Sequence, residues 1–489
     1  MKPFTARFAD VFERRADALA LAYGTSRWTY AALIVAARRR AAEWGRLGVV
    51  PGDRVMILPG DRAECLIAVL AAALGGFDLV LPNQRSTAGE IEWIRESTHP
   101  TLVWSGERAV VAEESDDPTD VSGGFRNVRV VFFTSGTTSR PKGVCHEFES
   151  LLVNADAFNR RAAVDEDVRM LHVMPTGYMA GLLNTFLSPL MAGGAVIVGE
   201  AFSAVSALQF WTLARGESIN AVWLSPTMTA TVTQLCRGDE IPSWARRHLR
   251  HVFVGTAPLH PTTRRAFHER VGVDCLESYG MTECMFAAVN PPGLPNPRDT
   301  VGLLLDGVDI QARGPDGLPL PPGAEGSLWV RSRSIMLGYL DGDSGRLETP
   351  LDPDGWLGTG DIGIVDGERR LTITGRLKDL IIRGGVNVSP KAVEDVVLAF
   401  PGVRDAAVVG VTHPFWGEEV VACVITSGDA TTVFGELAAH CAKHLPKDAV
   451  PGRFVSFVEF PTAGNGKVQK HLLRKLATTP AAADAQPRR

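Results

Sequence analysis

A segment rich in hydroxyl groups and glycine follows an apolar run in this sequence. It reads Thr134-Ser135-Gly136-Thr137-Thr138-Ser139-Arg140-Pro141-Lys142-Gly143, and the run before it covers 128–133. Small residues let backbone N–H groups approach an anion closely, while hydroxyl groups and two cations supply further donors. The Walker P-loop is excluded, because Pro141 stands where its second glycine belongs and Gly143 where Ser or Thr would hold magnesium. We expect polyphosphate binding; a solvated surface turn is the alternative for the segment alone.

Four later segments combine glycine with charged, hydroxyl or aromatic residues. They are Ser278-Tyr279-Gly280-Met281-Thr282-Glu283, Gly355-Trp356-Leu357-Gly358-Thr359-Gly360-Asp361, Gly375-Arg376-Leu377-Lys378-Asp379 and Gly464-Asn465-Gly466-Lys467. With the phosphate segment they resemble, in order, the motifs of the adenylate-forming superfamily: acyl-CoA synthetases, aryl-CoA ligases, peptide-synthetase adenylation domains and beetle luciferases. The resemblance covers about 128 to 470, with Ser139 where the family usually has Gly. It implies that ATP activates a carboxylic acid to an acyl adenylate, which then passes to a thiol.

The reaction implied by this resemblance brings two anions together, a carboxylate and the α-phosphate of ATP. Catalysis should therefore consist mostly of positioning and cationic neutralisation. The resemblance assigns the cation to Lys467, and a Lys tip on a flexible stem suits that role as a point charge. Without the resemblance, an exposed surface Lys would be the ordinary interpretation.

The resemblance also implies where ATP and magnesium bind. Glu283 is expected to serve a magnesium ion that bridges the phosphates and needs few protein ligands. Tyr279 is expected to stack on adenine, and Asp361, joined by Arg376, to accept hydrogen bonds from the ribose hydroxyls. The complete set expected to bind ATP is Thr134, Ser135, Gly136, Thr137, Thr138, Tyr279, Gly280, Asp361 and Arg376, and the catalytic set is Lys467, Glu283, Thr282 and Lys142. Each could instead have a structural role.

Two half-reactions require two arrangements of the domains. Lys378 occupies the family's hinge position, and hinges are short segments that absorb a large dihedral change. The segment Arg383-Gly384-Gly385-Val386-Asn387 would then line the approach of the thiol, since Gly384 and Gly385 admit a narrow pantetheine arm. Coenzyme A is the expected acceptor. A separate carrier protein with a phosphopantetheine arm, or an amine, is the alternative.

The acid should be selected by neutral, mostly apolar segments. In 175–181, Tyr178 stands where many aryl- and acyl-CoA ligases carry a gating His. The other expected pocket residues are Trp223, Gly255, Thr256, Ala257 and Cys284. These walls favour an aromatic or medium aliphatic acid. An amino acid is disfavoured, because we find no Asp nearby to pair with its ammonium group. The alternative is that Met170, Met174, Met179 and Phe286 simply fill the core, which we prefer for the first two.

The elements that position these residues alternate between strands and helices. That pattern predicts an α/β fold: a large N-terminal domain (1–375) of two α/β sheet subdomains plus a β-barrel-like subdomain, then a hinge (376–378) and a small mobile α+β lid domain (379–477). Residues 478–489 should be disordered. Near the N-terminus, 4–22 and 28–46 are predicted as amphipathic helices. Gly358-Thr359-Gly360-Asp361-Ile362-Gly363 matches a dinucleotide fingerprint, but a β-like stretch at 362–374 follows instead of a helix, so we reject a nicotinamide site.

Composition limits the class of protein. The chain has 489 residues, 45% of them hydrophobic and 21% charged, which suits a globular protein of two or more domains. A formal charge of −5 gives no reason to expect nucleic acid or an anionic membrane as partner. The seven cysteines include no Cys-x-x-Cys pair, which favours reduced thiols in the cytoplasm. The first seven residues lack an apolar signal core, and the most apolar window, 65–74, is well short of the ~18 residues that span a bilayer. We expect a soluble protein.

The leading hypothesis is therefore a magnesium- and ATP-dependent ligase that joins a carboxylic acid to coenzyme A. Adenylation followed by transfer to a carrier protein or an amine is the first alternative. A non-catalytic nucleotide-binding protein is a remote one. The presence of Lys142, Glu283, Asp361 and Lys467 argues against it.

Overall fold

The computed structural model describes residues 2–84, 86–106, 109–111, 123–134, 141–294, 300–342, 345–426, 430–462 and 468–478. The α-helices are α1 Phe4–Arg14, α2 Tyr30–Arg46, α3 Arg62–Gly75, α4 Ala88–Thr98, α5 Phe148–Ala162, α6 Ser188–Ala192, α7 Ala204–Ala207, α8 Phe210–Gly216, α9 Pro226–Leu235, α10 Glu240–His248, α11 Pro261–Val271, α12 Pro390–Leu398, α13 Ala430–His444 and α14 Lys470–Thr478. A π-helix covers Ala180–Leu187, and 3₁₀ turns cover Leu377–Asp379 and Lys447–Ala449. Among the described residues, every helix is too short or too polar to span a lipid bilayer.

The strands form two large sheets and one small one. In chain order they are β1 Leu19–Tyr23, β2 Ser26–Thr29, β3 Arg54–Ile57, β4 Asp78–Leu81, β5 Leu102–Trp104, β6 Ala109–Val111, β7 Arg129–Thr134, β8 Lys142–Glu147, β9 Arg169–His172, β10 Ala195–Val198, β11 Ala221–Leu224, β12 His251–Val254, β13 Leu276–Met281, β14 Met285–Val289, β15 Thr300–Leu304, β16 Val308–Arg313, β17 Glu325–Ser332, β18 Gly338–Leu340, β19 Leu347–Glu348, β20 Leu357–Val365, β21 Arg370–Arg376, β22 Ile381–Arg383, β23 Val386–Val388, β24 Val403–His413, β25 Gly417–Thr426 and β26 Arg453–Ser456.

The first sheet has the strand order β19-β18-β8-β7-β4-β3-β5-β6. Its centre, β5-β3-β4-β7, is parallel. The helix that crosses between β3 and β4 is buried along almost its whole length, and the Asp61 side chain caps it by accepting from the Glu64 N–H. Parallel strands buried on both faces need such continuous apolar sequences. The strand β7 then delivers the phosphate segment at its carboxyl end.

The second sheet has the order β16-β17-β20-β21-β15-β14-β13-β12-β11-β9-β10-β1-β2. From β1 through β10, β9, β11 and β12 to β13 the strands are parallel, whereas β14 and the strands beyond it are antiparallel. The β-rich part between about 300 and 376 is thus hydrogen-bonded edge to edge to the second α/β sheet. The dinucleotide-like fingerprint lies within β20, which pairs with β21 in an antiparallel hairpin, in agreement with its rejection.

The predicted helix over 4–22 is wrong in its second half. Helix α1 ends at Arg14, and Leu19–Tyr23 forms β1, which pairs with β10 in parallel. The apolar residues of this stretch satisfy a helical period, but pairing with β10 buries Leu21 completely. The alternation of strands and helices also predicts helices over 180–191 and 204–216. The first begins as the π-helix and continues as α6, and the second is broken between α7 and α8.

The small C-terminal sheet has the order β23-β22-β25-β24, with β26 beside β25. One apolar cluster packs on each face: Phe434 and Leu437 belong to the first, and Phe460 and Leu473 to the second. Ser389 Oγ donates a hydrogen bond to the Thr374 carbonyl oxygen at 2.8 Å, which ties the start of α12 to β21. Helix α14 extends to Thr478, one residue into the tail that was predicted to be disordered. The rest of that tail lies outside the described residues.

Candidate active site

The predicted phosphate segment connects two antiparallel strands. Thr134 at the end of β7 pairs with Lys142 at the start of β8, and both strands are buried between these ends. Residues 135–140 are outside the described part of the chain, so the roles given to Ser135, Gly136, Thr137 and Thr138 remain predictions. The flanking geometry agrees with a loop at a strand end.

Glu283 lies where the two large sheets meet. Tyr339, on β18 of the first sheet, donates its hydroxyl hydrogen to Glu283 Oε1 at 2.9 Å. Lys142 Nζ lies 5.2 Å from the centre of the Tyr339 ring, at cation–π distance. Burial, followed by the charge of Glu283, raises the pKa of Tyr339, so its hydroxyl stays protonated and remains a donor. Tyr339 thus connects the predicted metal-binding carboxylate to the predicted phosphate-binding cation.

The site suits magnesium chemically. Among the described residues Glu283 forms no ion pair, and no group of three His, Cys, Asp or Glu side chains is placed to hold a metal by itself. A half-buried carboxylate with one hydrogen bond retains lone pairs for a cation. Magnesium is usually held by one or two carboxylates together with substrate phosphates. Glu283 therefore fits the predicted role, which remains a prediction.

His146 supports the loop that carries Thr282. Its Nε2 lies 2.7 Å from the Thr282 carbonyl oxygen, across 136 residues of sequence. Burial lowers the pKa of His146 to about 4, so the ring is neutral near pH 7 and donates its Nε2 hydrogen to that carbonyl. The side chain is fully buried and nothing in the motif spacing points to it. Sequence analysis missed both His146 and Tyr339.

The three residues predicted around the nucleotide's base and ribose are brought together. Arg376 Nε contacts Asp361 Oδ1 at 2.8 Å, and the Tyr279 hydroxyl donates to Asp361 Oδ2 at 2.7 Å. Burial and the nearby Asp361 charge raise the pKa of Tyr279 well above its ordinary value, which keeps this hydroxyl a donor. Asp361 is 3% exposed, and each of its oxygens keeps a second lone pair for a ribose hydroxyl. At Gly280 a Cβ would lie 2.2 Å from the Met285 carbonyl oxygen, so only glycine fits beside Tyr279.

The segments predicted to form the acid pocket contain strained backbone and closely packed aromatic rings. Thr256 has φ 73° and Met285 has φ 59°, conformations that non-glycine residues rarely adopt and that concentrate at functional sites. Trp223 packs on Phe253, Phe286 and Phe158, with ring centres 5.0, 5.1 and 5.4 Å away.

The other residues predicted for the pocket are buried, half-buried or packed against Trp223. Burial raises the pKa of Cys284 to about 12, so it is a neutral wall residue and not a nucleophile. Ala257 is half-buried, and Gly255 packs against the Trp223 ring. Tyr178 is half-buried, and its carbonyl accepts from the Gly181 N–H where the π-helix begins. Single-turn π segments occur often at functional sites.

The predicted hinge and thiol segments lie in the connection to the small domain. Lys378 is exposed in the 3₁₀ turn Leu377–Asp379, between β21 and β22. Gly384 and Gly385 form the exposed turn of the β22–β23 hairpin with φ 58° and 86°, which favours glycine at both positions. The Trp416 ring covers Gly384, and the Arg383 guanidinium lies 5.6 Å from the centre of that ring.

Lys467 lies outside the described residues, so its role stays a prediction. The described residues on both sides limit where the segment can go. Thr462 bridges Val468, and Lys470 Nζ pairs with the buried Glu394 Oε1 at 2.6 Å. These contacts place Thr462, Val468 and Lys470 in the small domain.

Comparison with known proteins agrees with these features. Residues 8–340 match the model of the AMP-binding enzyme family, and 392–467 match that of the AMP-binding enzyme C-terminal domain. A feruloyl-CoA synthase from Amycolatopsis is 30% identical over 94% of this chain and 96% of its own length. A sulfoacetate–CoA ligase from Cupriavidus necator is 33% identical over 70% of this chain, and the match spans 65% of that relative.

Solved structures extend the similarity to the whole fold. ATP-bound MatB from Rhodopseudomonas palustris is 26% identical, with a TM-score of 0.86 over 97% of this chain and 99% of its own. The amide bond synthetase McbA from Marinactinospora thermotolerans is 27% identical, with a TM-score of 0.83 over 98% of this chain and all of its own. The family models cover both the large and the small domain in the expected order, and the chain therefore belongs to the AMP-binding enzyme family.

Proposed function

We propose that this protein is an AMP-forming ligase that joins a carboxylic acid to coenzyme A. The observation that carries the proposal is the arrangement around Glu283. Glu283 has no ion-pair partner in the described structure, and Tyr339 contacts both this carboxylate and Lys142. A second cluster of Tyr279, Asp361 and Arg376 provides groups that could bind a nucleoside. This combination supplies groups for phosphate, ribose and base from both large sheets. Membership in the family and the similarity to acid–CoA ligases support the same function.

In the first half-reaction the acid's carboxylate oxygen attacks the α-phosphorus of ATP, and the bond to the β-phosphate breaks to release pyrophosphate. Lys142 and Lys467 provide the cations that offset charge on the phosphates and on the attacking oxygen. Asp361 orients the ribose, and Tyr279 holds Asp361 in place while its ring faces the base. Magnesium, held by Glu283 and the phosphates, would neutralise further charge and align the leaving pyrophosphate.

In the second half-reaction the thiol sulfur attacks the acyl carbonyl carbon, its proton passes to solvent, and AMP leaves. Rotation at Lys378 would withdraw Lys467 and bring the Gly384–Gly385 turn to the site, where two residues without side chains leave room for a pantetheine arm. Arg383 and the exposed Trp416 beside this turn offer a cation and a flat ring to a nucleotide end, which favours coenzyme A over a small amine.

An amide-forming ligase is the second candidate, because McbA, an amide bond synthetase, shares the fold over the whole chain. Transfer to the pantetheine of a separate carrier protein is the related possibility. Both alternatives keep the first half-reaction and differ only in the acceptor.

The acid is proposed to be aromatic or medium aliphatic. The rings of Trp223, Phe158, Phe253 and Phe286 and the neutral Cys284 thiol give walls that suit a flat or apolar body. An aromatic substrate agrees with the name of the feruloyl-CoA synthase relative. The seven cysteines are all unpaired and buried, and we propose a cytoplasmic location on that basis.

Exchange of labelled pyrophosphate into ATP over a panel of carboxylic acids tests the first half-reaction. Aromatic acids should promote exchange, and added coenzyme A should convert the same acids to thioesters with one AMP released for each. Transfer from the adenylate to an amine or a carrier protein, with none to coenzyme A, would favour the second candidate. Absence of exchange with every acid would refute both.

A further inference from the structure

Arg62, the first residue of α3, is a buried cation that no described residue neutralises at ion-pair distance. It is 7% exposed. Its hydrogen bonds to described residues run from Nη2 to the carbonyl oxygens of Met174 at 2.9 Å and His172 at 3.3 Å, and its Nε is buried without a partner. A guanidinium keeps its charge in a protein, and a buried charge is costly unless an anion compensates it. The position therefore calls for a negative group that the described chain does not supply.

Two carboxylates close to Arg62 are engaged elsewhere. Asp61 caps α3, where its side chain accepts from the Glu64 N–H. Glu200, just after β10, accepts from the Tyr23 hydroxyl at 3.3 Å. Burial lowers the pKa of Arg62, and the charge of Glu200 opposes this effect only in part. Both carboxylates are exposed, so solvent screens their charge and neither replaces an anion in contact with the guanidinium.

Arg62 lines a small cavity where the two large sheets meet. The first sheet contributes 58–60 after β3 and Pro82 after β4, and the second contributes 176–177 after β9. The cavity volume is about 30 Å³, room for roughly two water-sized groups. Because Nη2 is bonded and Nε is enclosed, Nη1 is the guanidinium nitrogen that is left for a ligand.

The electrostatic character of the cavity suits an anion. No described lining residue is an Asp or a Glu. Cys65 also lines the cavity, and burial raises the pKa of its thiol to about 11, so this group is neutral. Helix α3 has 14 residues, and its N-terminus at Arg62 carries the positive end of the helix dipole. Ligands of open α/β sheets bind beyond the carboxyl ends of the strands, and β3, β4 and β9 all end here.

The walls of the cavity are held in place within the protein. The bonds from Arg62 to the 172–174 backbone join the first sheet's helix to the end of a strand of the second sheet. A Cβ at Gly177 would overlap the Pro82 carbonyl oxygen, so the two sheets are also in close backbone contact here. A preorganised cavity binds a ligand without paying to order its walls. The same segment leads directly to Tyr178, the predicted gate.

We propose that this cavity binds one small oxyanion, a phosphate, sulfate or carboxylate group, through Arg62 Nη1 and the N-terminal end of α3. Such a group accepts hydrogen bonds without donating any, and its charge compensates the buried guanidinium. Water would satisfy Nη1 but would leave the charge uncompensated. The site goes beyond the ligase function proposed above and does not depend on it. Its oxyanion is either a free ion or an acidic group of a larger molecule.

Equilibrium dialysis with labelled inorganic phosphate tests the site. α,β-Methylene-ATP and magnesium fill the nucleotide site without turnover, and chloride keeps the ionic strength constant. The wild-type protein should bind one phosphate per chain, and at 10-fold above half-saturation its Tm should rise by about 1–2 °C. Arg62→Gln keeps an N–H donor for the Met174 carbonyl but loses the charge, so it should weaken phosphate binding at least about 10-fold.

Two further variants control this measurement. Arg15 also donates to a backbone carbonyl, that of Gly193, but Glu166 pairs with it, so Arg15→Gln should leave phosphate binding unchanged. Gln84→Glu is an isosteric change in the exposed wall of the cavity, and its added negative charge should weaken phosphate binding. If Arg62→Gln did not fold, Gln84→Glu would decide, and unchanged binding in it would refute the proposal. So would a wild-type protein without saturable phosphate binding, or equal binding by wild type and Arg62→Gln.

Competition then identifies the source of the oxyanion. Coenzyme A should displace the labelled phosphate if the site takes one of its phosphate groups. A dicarboxylic acid should displace it, unlike the monocarboxylic acid of equal length, if the site takes a second acidic group of the substrate. Displacement by neither would assign the site to a free ion. Dialysis requires no turnover, so the site and the ligase function can fail independently.

Discussion

The nucleotide side and the acid side of the site differ in how their polar groups are bonded. On the nucleotide side, Asp361 is held by both Arg376 and Tyr279, and Glu283 is held by Tyr339. On the acid side, the Trp223 indole N–H and His172 Nε2 are buried without a partner in the described part of the chain. One side is preorganised by bonds within the protein, and the other leaves bonds for a ligand to make. We infer that the ATP site is already ordered before ATP binds, and that the acid is selected by the hydrogen bonds it makes to unpaired groups of the protein.

The largest effect should come from Lys467→Ala. Loss of a cation that stabilises charge in a water-poor site commonly costs about two to three orders of magnitude in rate. Adenylation, measured as pyrophosphate exchange, should fall by that factor, whereas thioester formation from a supplied acyl adenylate should be retained. Lys443→Ala, at an exposed position of α13, is the control and should be neutral. Equal losses in both half-reactions would show that Lys467 does not serve adenylation.

Asp361→Asn should weaken ATP binding without changing the preference between acids. The substitution removes the charge that Arg376 contacts, and charge-assisted hydrogen bonds contribute about 1.5–3 kcal/mol, so the KM for ATP should rise about 10- to 100-fold. The ratio of kcat/KM values between two acids should stay constant, because the altered bond lies on the nucleotide side only. A changed acid preference in this variant would mean that the two sides are not independent.

Tyr339→Phe should have a smaller effect, a higher magnesium requirement for pyrophosphate exchange. The change removes the hydrogen bond to Glu283 but keeps the ring that Lys142 covers. A hydrogen bond to a charged group contributes about 1.5 kcal/mol at the low end of its range, so its loss corresponds to a roughly 10-fold higher magnesium concentration for half-maximal exchange. Tyr23→Phe, which removes a comparable bond to Glu200 at the surface, is the matched control. An unchanged magnesium requirement would show that Tyr339 does not support magnesium binding by Glu283.

Sequence alone predicted the site residues that lie within short, contiguous motifs. The strand before the phosphate segment, the cluster of Tyr279, Asp361 and Arg376, and the order of the two domains all follow from motifs that are contiguous in sequence. Tyr339 and His146 were missed because neither lies in one of the recognised motifs, and nothing in the sequence links them to Glu283 and Thr282, which are 56 and 136 positions away. They become visible only when the two sheets are assembled.

The same distinction explains the wrong secondary structure. The stretch 15–22 has a helical pattern of apolar residues, yet Leu19–Tyr23 becomes an additional parallel strand because β10, far along the chain, is available for pairing. Tertiary context overrides local propensity in such cases. The unpaired state of the buried Trp223 indole N–H is likewise a property of its surroundings, because the sequence around Trp223 does not show whether a partner is within reach.

The smallest expected effect is on the pH dependence of the unfolding free energy. It compares His146, on the nucleotide side, with His172, on the acid side. His146 has a pKa of about 4 in the folded protein against about 6.5 when unfolded, so the unfolded chain binds a proton first as the pH falls. Its contribution to stability is therefore complete above about pH 6.5 and is lost as the pH falls toward 4. In His146→Gln, the loss of unfolding free energy between pH 7 and 4.5 should be smaller than in the wild type by about 1–2 kcal/mol, measured by denaturant unfolding at each pH. His172→Gln should flatten the same curve and should also change the ratio of kcat/KM values between two acids, because His172 lies beside the predicted pocket residue Trp223. If His146→Gln altered acid preference as strongly as His172→Gln, the division between a self-bonded nucleotide side and a ligand-completed acid side would be wrong.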